Sequence, residues 1–497
     1  MGKIKIDLGK EKGKINPNIY GHFAEHLGEL VYNGLWVGSD SSISNIDGIR
    51  KDVVEALKLL NPPVIRWPGG CFADDYHWRD GIGPREDRPT TVNIHWDSTE
   101  SNEFGTHEFL QFCELVGAKP YICSNVGSGT PKEMRDWLEY LNFTGESTLS
   151  NLRAKNGHPE PFNVYYFGIG NENWGCGGSM SPKYYAYVYK RFATFAHSFN
   201  DGDLYKIACG PFNYNVYWTR GFFRNLCENK LIGGQWRLPL IDGFAMHYYC
   251  GTAGTATKYS KKQWYELLKK ARKMQGYIRL HKLIMNYYDR KKKVGLIVDE
   301  WGTWHKTEEG ANPRWLRQQN TIRDALVAAH TLDIFNNNAD IVVMSNIAQT
   351  VNVLQAMILT KDEKMVLTPT YYVYKIYAEH QGGLAVKTKF KSKKIHRVPI
   401  LSGSASLKDN VLSVSMVNSH ASDEIVVKID IKGAGNISLK SWQILATEDI
   451  HDHNTFEDPE VVKVKAGDIS EISENKMILP PASVNIIQYE VKEAKLK

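Results

Sequence analysis

Cysteine is scarce and unpatterned in this chain. There are seven in 497 residues, at positions 71, 113, 123, 176, 209, 227 and 250, with no CxxC pair. An odd, scattered set argues against both a disulfide framework and a zinc site, and points to a reducing, cytoplasmic setting. Long apolar runs are missing as well. No stretch approaches the roughly 20 apolar residues of a membrane-spanning helix. The opening MGKIKIDLGKEKGKI alternates apolar and charged residues, with no apolar segment of the kind a secretory leader needs. Concentrated charge is absent too. The net charge is +6, and the basic clusters Lys291-Lys292-Lys293 and Lys389 to Lys394 are short. They suit solvated faces rather than the stripe that tracks a nucleic acid. Neither a nucleic-acid partner nor a membrane is expected. Solenoid repeats and low-complexity segments are also missing.

Aromatic residues are plentiful at 11%, with 13 Trp and 26 Tyr, and several stand beside polar motifs. The clearest case is YYFGIGNENWG, Tyr165 to Gly175. A short apolar strand, Val164 to Gly168, gives way at once to Asn171, Glu172 and Asn173, with Trp174 following. A carboxylate at the end of a buried strand, flanked by amides and an indole, is placed to have its protonation tuned. A second strand, GLIVDEW, ends the same way in Asp299 and Glu300.

Eight short buried strands begin near residues 19, 64, 120, 164, 205, 242, 295 and 341, most of them followed by helical periodicity. Expected helices include 51–60, 108–116, 263–288, 314–335 and 370–379, and one starting at Ser181-Pro182. Eight such units predict an α/β fold, a (β/α)8 TIM barrel. A doubly wound sheet is the alternative, but no strand is followed by a clean GxGxxG: Asn173 stands where the third glycine belongs. After about residue 383, alternating strands separated by Gly, Asn, Asp and Ser predict an all-β sandwich of jelly-roll type. Lys3 to Leu8 has no barrel position and is expected to join that sandwich. The expected domains are therefore 1–15, pairing with the β domain, the barrel over 16–383 and the sandwich over 384–497.

In such barrels the carboxyl ends of the strands line one mouth. Those ends carry Glu25, the run Arg66 to Asp75, Asn125, Asn171-Glu172-Asn173, His247-Tyr248-Tyr249, Glu300, Asn346 and Gln349. Two carboxylates across one mouth, on strands 4 and 7, suit a retaining glycosidase if they are about 5 Å apart. One attacks and stays ionised, helped by a donor such as Arg66. The other donates a proton and must hold it near neutral pH.

Five motifs, YGHFAEHLG, RWPGGCFADDYHW, NENWGCGG, VDEWGTW and NIAQTVNV, occur in order from about residue 15 to 380. Together they resemble glycoside hydrolase family 51, the α-L-arabinofuranosidases of clan A, in the branch with Cys in RWPGGC. The resemblance implies Glu172 as acid/base and Glu300 as nucleophile. It also implies Glu25, Arg66, Asn171, Tyr249 and Gln349 as residues that hold the sugar or steady the nucleophile, and Trp96, Trp174 and Trp304 as aromatic walls. Cys71 is expected to contact the sugar. Asp75 stands where that branch has Glu, and its role is open. His247 and Asn346 complete the expected substrate-binding set, His247 as a wall residue without a proton-transfer role.

His22 and His26 are four residues apart but lack the HExxH order, and neither a metal nor another cofactor is expected. The implied activity is retaining, exo-acting release of terminal α-L-arabinofuranosyl groups from arabino-oligosaccharides and arabinoxylan fragments, by a homo-oligomer. Another clan A retaining glycosidase, such as an endo-β-glucanase or xylanase, is the nearest rival. A sugar-binding protein with a dead site is the rival from another class.

Overall fold

Short strands buried on both faces belong in a parallel sheet covered by helices, and that is how the middle of this chain folds. The structure is a computed structural model and describes residues 1–227, 240–251, 253–307, 310–472 and 476–492. Strand β1 (Gly2–Lys14) comes first. The next eight are β2 (Gly21–Phe23), β3 (Val64–Trp67), β4 (Lys119–Ser124), β5 (Tyr166–Ile169), β6 (Tyr205–Ala208), β7 (Gly243–Gly251), β8 (Gly295–Trp304) and β9 (Val342–Ala348). Taken in chain order, β2 to β9 form a closed barrel. All eight begin within a few residues of where the sequence puts them.

The helices between them are α1 (Lys51–Leu60), α2 (Thr106–Val116), α3 (Pro131–Asn142), α4 (Thr148–Lys155), α5 (Pro182–Phe195), α6 (Val216–Cys227), α7 (Lys261–Ala271), α8 (Lys273–Tyr288), α9 (Ile322–Asn337) and α10 (Pro369–Tyr377). Their ends follow local chemistry. The Ser181 side chain accepts the Tyr184 N–H and Pro182 takes the first turn of α5. Asn61 closes α1 in the left-handed region at φ 50°. One expectation needs correcting. The helical pattern from Arg314 becomes helix only at Ile322, because Thr321 and Asp324 form a capping box there. The stretch 263–288 is two helices, with Arg272 between them.

The chain divides into two compact units, one of 1–20, 249–276 and 301–497, the other of 21–248 and 277–300. In the first, β1 lies between β10 (Leu384–Lys391), with which it is antiparallel, and β13 (Ile425–Lys432), with which it is parallel. The other strands are β11 (Leu401–Lys408), β12 (Val411–Asn418), β14 (Asn436–Leu445), β15 (Val464–Ala466), β16 (Lys476–Leu479) and β17 (Ser483–Lys492). They complete a nine-stranded sheet in the order β15-β14-β17-β12-β11-β10-β1-β13-β16. Ile4, Ile6 and Leu8 are buried in its core beside Val427, Ile429 and Met416. Helix α9 packs against this sheet and is tied to it by Asp333, whose Oδ1 accepts the hydroxyls of Ser404 and Ser415.

The N-terminal strand is thus a central strand of a sheet otherwise built from residues after 383. Ile6 is 1% exposed. Ile6→Ala should lower stability by about 2–5 kcal/mol, the range for such core truncations, read from the denaturant midpoint. A loss within experimental error would show that β1 is not part of the cooperative core.

Candidate active site

The second unit holds both glutamates. Each stands where a buried strand runs into its loop: Glu172 three residues beyond β5, Glu300 within β8. Their carboxylates and His247 Nδ1 offer three atoms that all lie within 4.8 Å of one another. His247 Nδ1 is 2.8 Å from Glu172 Oε1 and 3.4 Å from Glu300 Oε2. Carboxylate oxygens this close suit a retaining pair, whose carboxyl groups stand roughly 5–5.5 Å apart, better than an inverting site, where roughly 6.5–9.5 Å leaves room for water.

The two carboxylates differ in their partners. Arg66 is fully buried at the end of β3, with its guanidinium 4.5 Å from the centre of the Phe23 ring. Its Nη1 donates to Glu300 Oε1 at 2.9 Å and its Nη2 to Asn171 Oδ1 at 2.5 Å. Nε reaches Cys123 Sγ at 3.2 Å and lies 3.5 Å from Asp299. Burial works against the Arg66 charge, but Cys123, Asp299 and Glu300 outweigh it and hold its pKa above the ordinary value. Glu300 therefore faces a permanent cation. Glu172 is bonded to His247 instead: burial pushes its pKa up most, the His247 hydrogen bond pulls it back, the Glu300 charge adds to the rise, and Arg66 acts on it only weakly from a distance. His247 is itself raised. Burial lowers it, but the two carboxylates prevail. An ionised nucleophile and a proton-holding acid are what this asymmetry favours.

Glu25 lies on the loop after β2 and is 2% exposed. Its Oε1 accepts the Phe72 backbone N–H and Trp96 Nε1–H, and burial, then Glu300, push it up to about 7. Gly70 leaves little room between these groups. A Cβ there would stand 3.1 Å from both Glu25 Oε2 and Glu300 Oε1. Trp174 donates to the Gly210 carbonyl and lies against Phe212. These residues, with Arg66, Asn171 and His247, form one cluster. Tyr249, Trp304, Asn346 and Gln349 fall in the other unit. There Tyr249 and Trp304 meet edge to face at 5.2 Å, Trp304 is partly exposed, and Asn346 and Gln349 are buried.

The backbone at Glu172 is unusual. Glu172 has φ +41°, in the left-handed region that costs a residue with a Cβ roughly 1–2 kcal/mol. Its carbonyl accepts the N–H groups of Gly175 and Gly177, closing a tight turn.

The model of the α-L-arabinofuranosidase 1 domain matches residues 56–262, and that of the α-L-arabinofuranosidase C-terminal domain matches 299–483. The intracellular exo-α-L-arabinofuranosidase of Bacteroides ovatus is 45% identical over 93% of this chain and 89% of its own. The chain belongs to the α-L-arabinofuranosidases of glycoside hydrolase family 51. The family 51 arabinofuranosidase of Xanthomonas axonopodis pv. citri superposes with a TM-score of 0.93 at 40% identity, over 99% of both chains. The α-L-arabinofuranosidase of Thermotoga maritima, solved as an arabinose complex, gives 0.86 at 30% identity over 98% of this chain and 99% of that one.

The scattered cysteines argue against a disulfide framework, but the structure holds one disulfide: Cys71 is bonded to Cys176, 105 residues on, with 5.6 Å between the Cα atoms. The bridge joins the loop after β3 to the loop after β5, and Cys176 Sγ lies 3.7 Å from Glu172 Oε2. Scattered spacing hides such a pair, because the barrel brings together loops that the sequence separates. The other five cysteines are free. His22 and His26 have structural surroundings. His22 is wholly buried, which pushes it down to about 3. His26 Nδ1 is 2.7 Å from Glu100, and its Nε2 accepts the Trp67 Nε1–H.

Sequence reasoning also missed Asp299, Asp74 and Cys176. Asp299 takes the Tyr121 hydroxyl at 2.8 Å behind Arg66. Asp74 is buried, whereas Asp75 beside it is half-buried and meets Ser128. Burial pushes Asp74 up to about 7, against the pull of the Val126, Asn171 and Gly127 amides. Only the burial of the RWPGGCFADD run hinted at Asp74, and nothing in the run separates one aspartate from the next.

The bridge makes a chemical prediction. Iodoacetamide applied to the native protein without reductant should leave Cys71 and Cys176 unlabelled in peptide mass maps, and both should label after treatment with a dithiol. Labelling of either before reduction would contradict the bond.

Proposed function

We propose that this chain is a retaining, exo-acting α-L-arabinofuranosidase that releases terminal non-reducing α-L-arabinofuranosyl residues from arabino-oligosaccharides and arabinoxylan fragments, in the breakdown of hemicellulose. The observation that carries the reading is the pair Glu172 and Glu300 with carboxylate oxygens within 4.8 Å, only the second held by Arg66.

In this mechanism Glu300 attacks the anomeric carbon while Glu172 protonates the departing oxygen. The resulting glycosyl–Glu300 ester is hydrolysed by a water that Glu172, now ionised, deprotonates. His247, hydrogen-bonded to Glu172, adjusts its proton affinity. Glu25 and Asn171 bind the sugar hydroxyls, and Trp96 and Trp174 wall the pocket. Cys71 takes part through the disulfide, as a sulfur wall beside Glu172, rather than through a thiol. No cofactor or metal takes part in this reading. A cytoplasmic site of action is supported by the name of the Bacteroides relative, an intracellular enzyme, and by the five free cysteines that stand beside the one disulfide. Among the described residues no helix is long and apolar enough to cross a membrane. Assembly as a homo-oligomer is part of the proposal.

Two experiments test the roles. Glu300→Ala should be inactive on every substrate. Glu172→Ala should lose about 10²–10⁴-fold on arabino-oligosaccharides, the usual worth of general acid–base catalysis, and much less kcat/KM on dinitrophenyl arabinofuranoside, whose leaving group needs no proton. Azide should then speed its turnover and give arabinosyl azide of retained configuration by NMR. Inverted product from the wild type, or equal loss on both substrates, would overturn the assignment.

The second experiment is a pH profile. The His247 bond lowers the Glu172 pKa. In His247→Asn the acid should therefore keep its proton to higher pH, and the alkaline limb of kcat/KM should move upward. A limb that stays or moves down would remove His247 from this role.

A further inference from the structure

Asp74 is a buried carboxylate that the reaction does not consume, and it is the hub of three loops at the barrel mouth. Its Oδ1 accepts the backbone N–H groups of Val126 at 2.7 Å and Gly127 at 3.0 Å, in the loop after β4. Its Oδ2 accepts the Asn171 N–H at 2.7 Å and the Asn173 Nδ2–H at 3.2 Å. Asn171 and Asn173 are the two neighbours of Glu172. A single side chain thus grips the chain on both sides of the acid/base, at the turn where Glu172 has its left-handed φ of +41°. Such a conformation persists only where the surroundings over-determine it.

Two further observations place Asp74 in this role. Gly177, which closes the turn on the Glu172 carbonyl, leaves no space beside the carboxylate: a Cβ there would fall 2.0 Å from the Asn171 carbonyl oxygen and 2.2 Å from Asp74 Oδ2. The Asn171 side chain in turn receives Arg66 Nη2, so the same grip orders the amide between the Arg66 cation and the acid/base. All four partners of Asp74 donate. A carboxylate, which only accepts, satisfies all four, whereas an amide would turn an NH2 group against two of them.

We propose that Asp74 is a positioning residue for Glu172: without touching the substrate, it fixes the turn that holds the acid/base carboxyl at the departing oxygen. The proposal rests on the reading of Glu172 given above and adds a residue that acts through it.

The test is Asp74→Asn in the full chain, with its thermal unfolding recorded. kcat/KM is measured on an arabino-oligosaccharide and on dinitrophenyl arabinofuranoside, with and without azide. A misplaced acid should cost about 10- to 100-fold on the oligosaccharide, and about threefold or less in kcat/KM on the dinitrophenyl substrate. Azide should raise kcat on that substrate, as in a mild form of Glu172→Ala. Loss of folded protein would lower both substrates equally and would not respond to azide. Equal loss, or no loss, overturns the proposal. If Asp74→Asn does not fold, Asn173→Ala, which removes one of the four bonds, should show the same split on a smaller scale, and equal loss there overturns it as well. Glu172→Ala is run alongside. If it shows no leaving-group split, the acid/base reading itself fails. If it shows the split and Asp74→Asn does not, only the positioning role fails.

Discussion

A guanidinium removed from water must have its charge met, and in this protein much follows from how that is done for Arg66. An uncompensated buried charge costs several kcal/mol. Arg66, at 0% exposure, is met by Glu300, Asp299, Asn171 and Cys123. Those groups come from β4, β5 and β8 or the residues just past them, so three strands are bound to one planar cation carried by a fourth, β3. A fork of fixed geometry suits this better than a lysine would, since its donors diverge towards separate acceptors. Asp299 is itself pinned by Tyr121, which leaves Glu300 as the partner that faces His247 and the acid/base.

The same arrangement divides the labour between two chemically identical side chains. Both glutamates are desolvated, and desolvation alone would make both hold protons. The arginine breaks that symmetry by contacting only one. The charge kept on Glu300 then raises Glu172, so the ion pair on one carboxylate helps to set the proton on the other. Glu25, raised first by its own burial and then by the same charge, reaches about 7. Two further carboxyl groups beside Glu300 are more than an ion pair needs, and they suit a site that offers both donors and acceptors.

Much of this was legible in the sequence, for a physical reason. Barrel strands are short, buried on both faces and followed by amphipathic helices, and those features show in one dimension. The change from apolar to polar at Asn171 and at Glu300 shows there as well, because the end of a strand is the mouth of a barrel. Relations between loops do not show. Cys71 and Cys176 bond because β3 and β5 both deliver loops to the same rim, and no spacing rule encodes that. Asp74 and Asp75 are chemically the same in sequence, and the turn of the backbone decides which one is buried. The helix expected from Arg314 failed for a local reason: the apolar pattern runs on, but the cap made by Thr321 and Asp324 sets the start.

The retaining reaction explains why so much of the fold bears on a turn of a few residues. In the proposed mechanism Glu172 serves twice at one position, first giving a proton to the departing oxygen and then taking one from the water that enters in its place. A carboxyl that wandered between the steps would find the second oxygen out of reach. The turn that carries it has a backbone conformation that an isolated chain would abandon. It is held covalently by Cys71–Cys176 and electrostatically by Asp74, and both fastenings run back to the loop that follows β3. That strand also carries Arg66, which orients Glu300. Arg66, which bonds Glu300, and Asp74 and Cys71, which hold the turn of Glu172, thus all come from β3 and the loop after it.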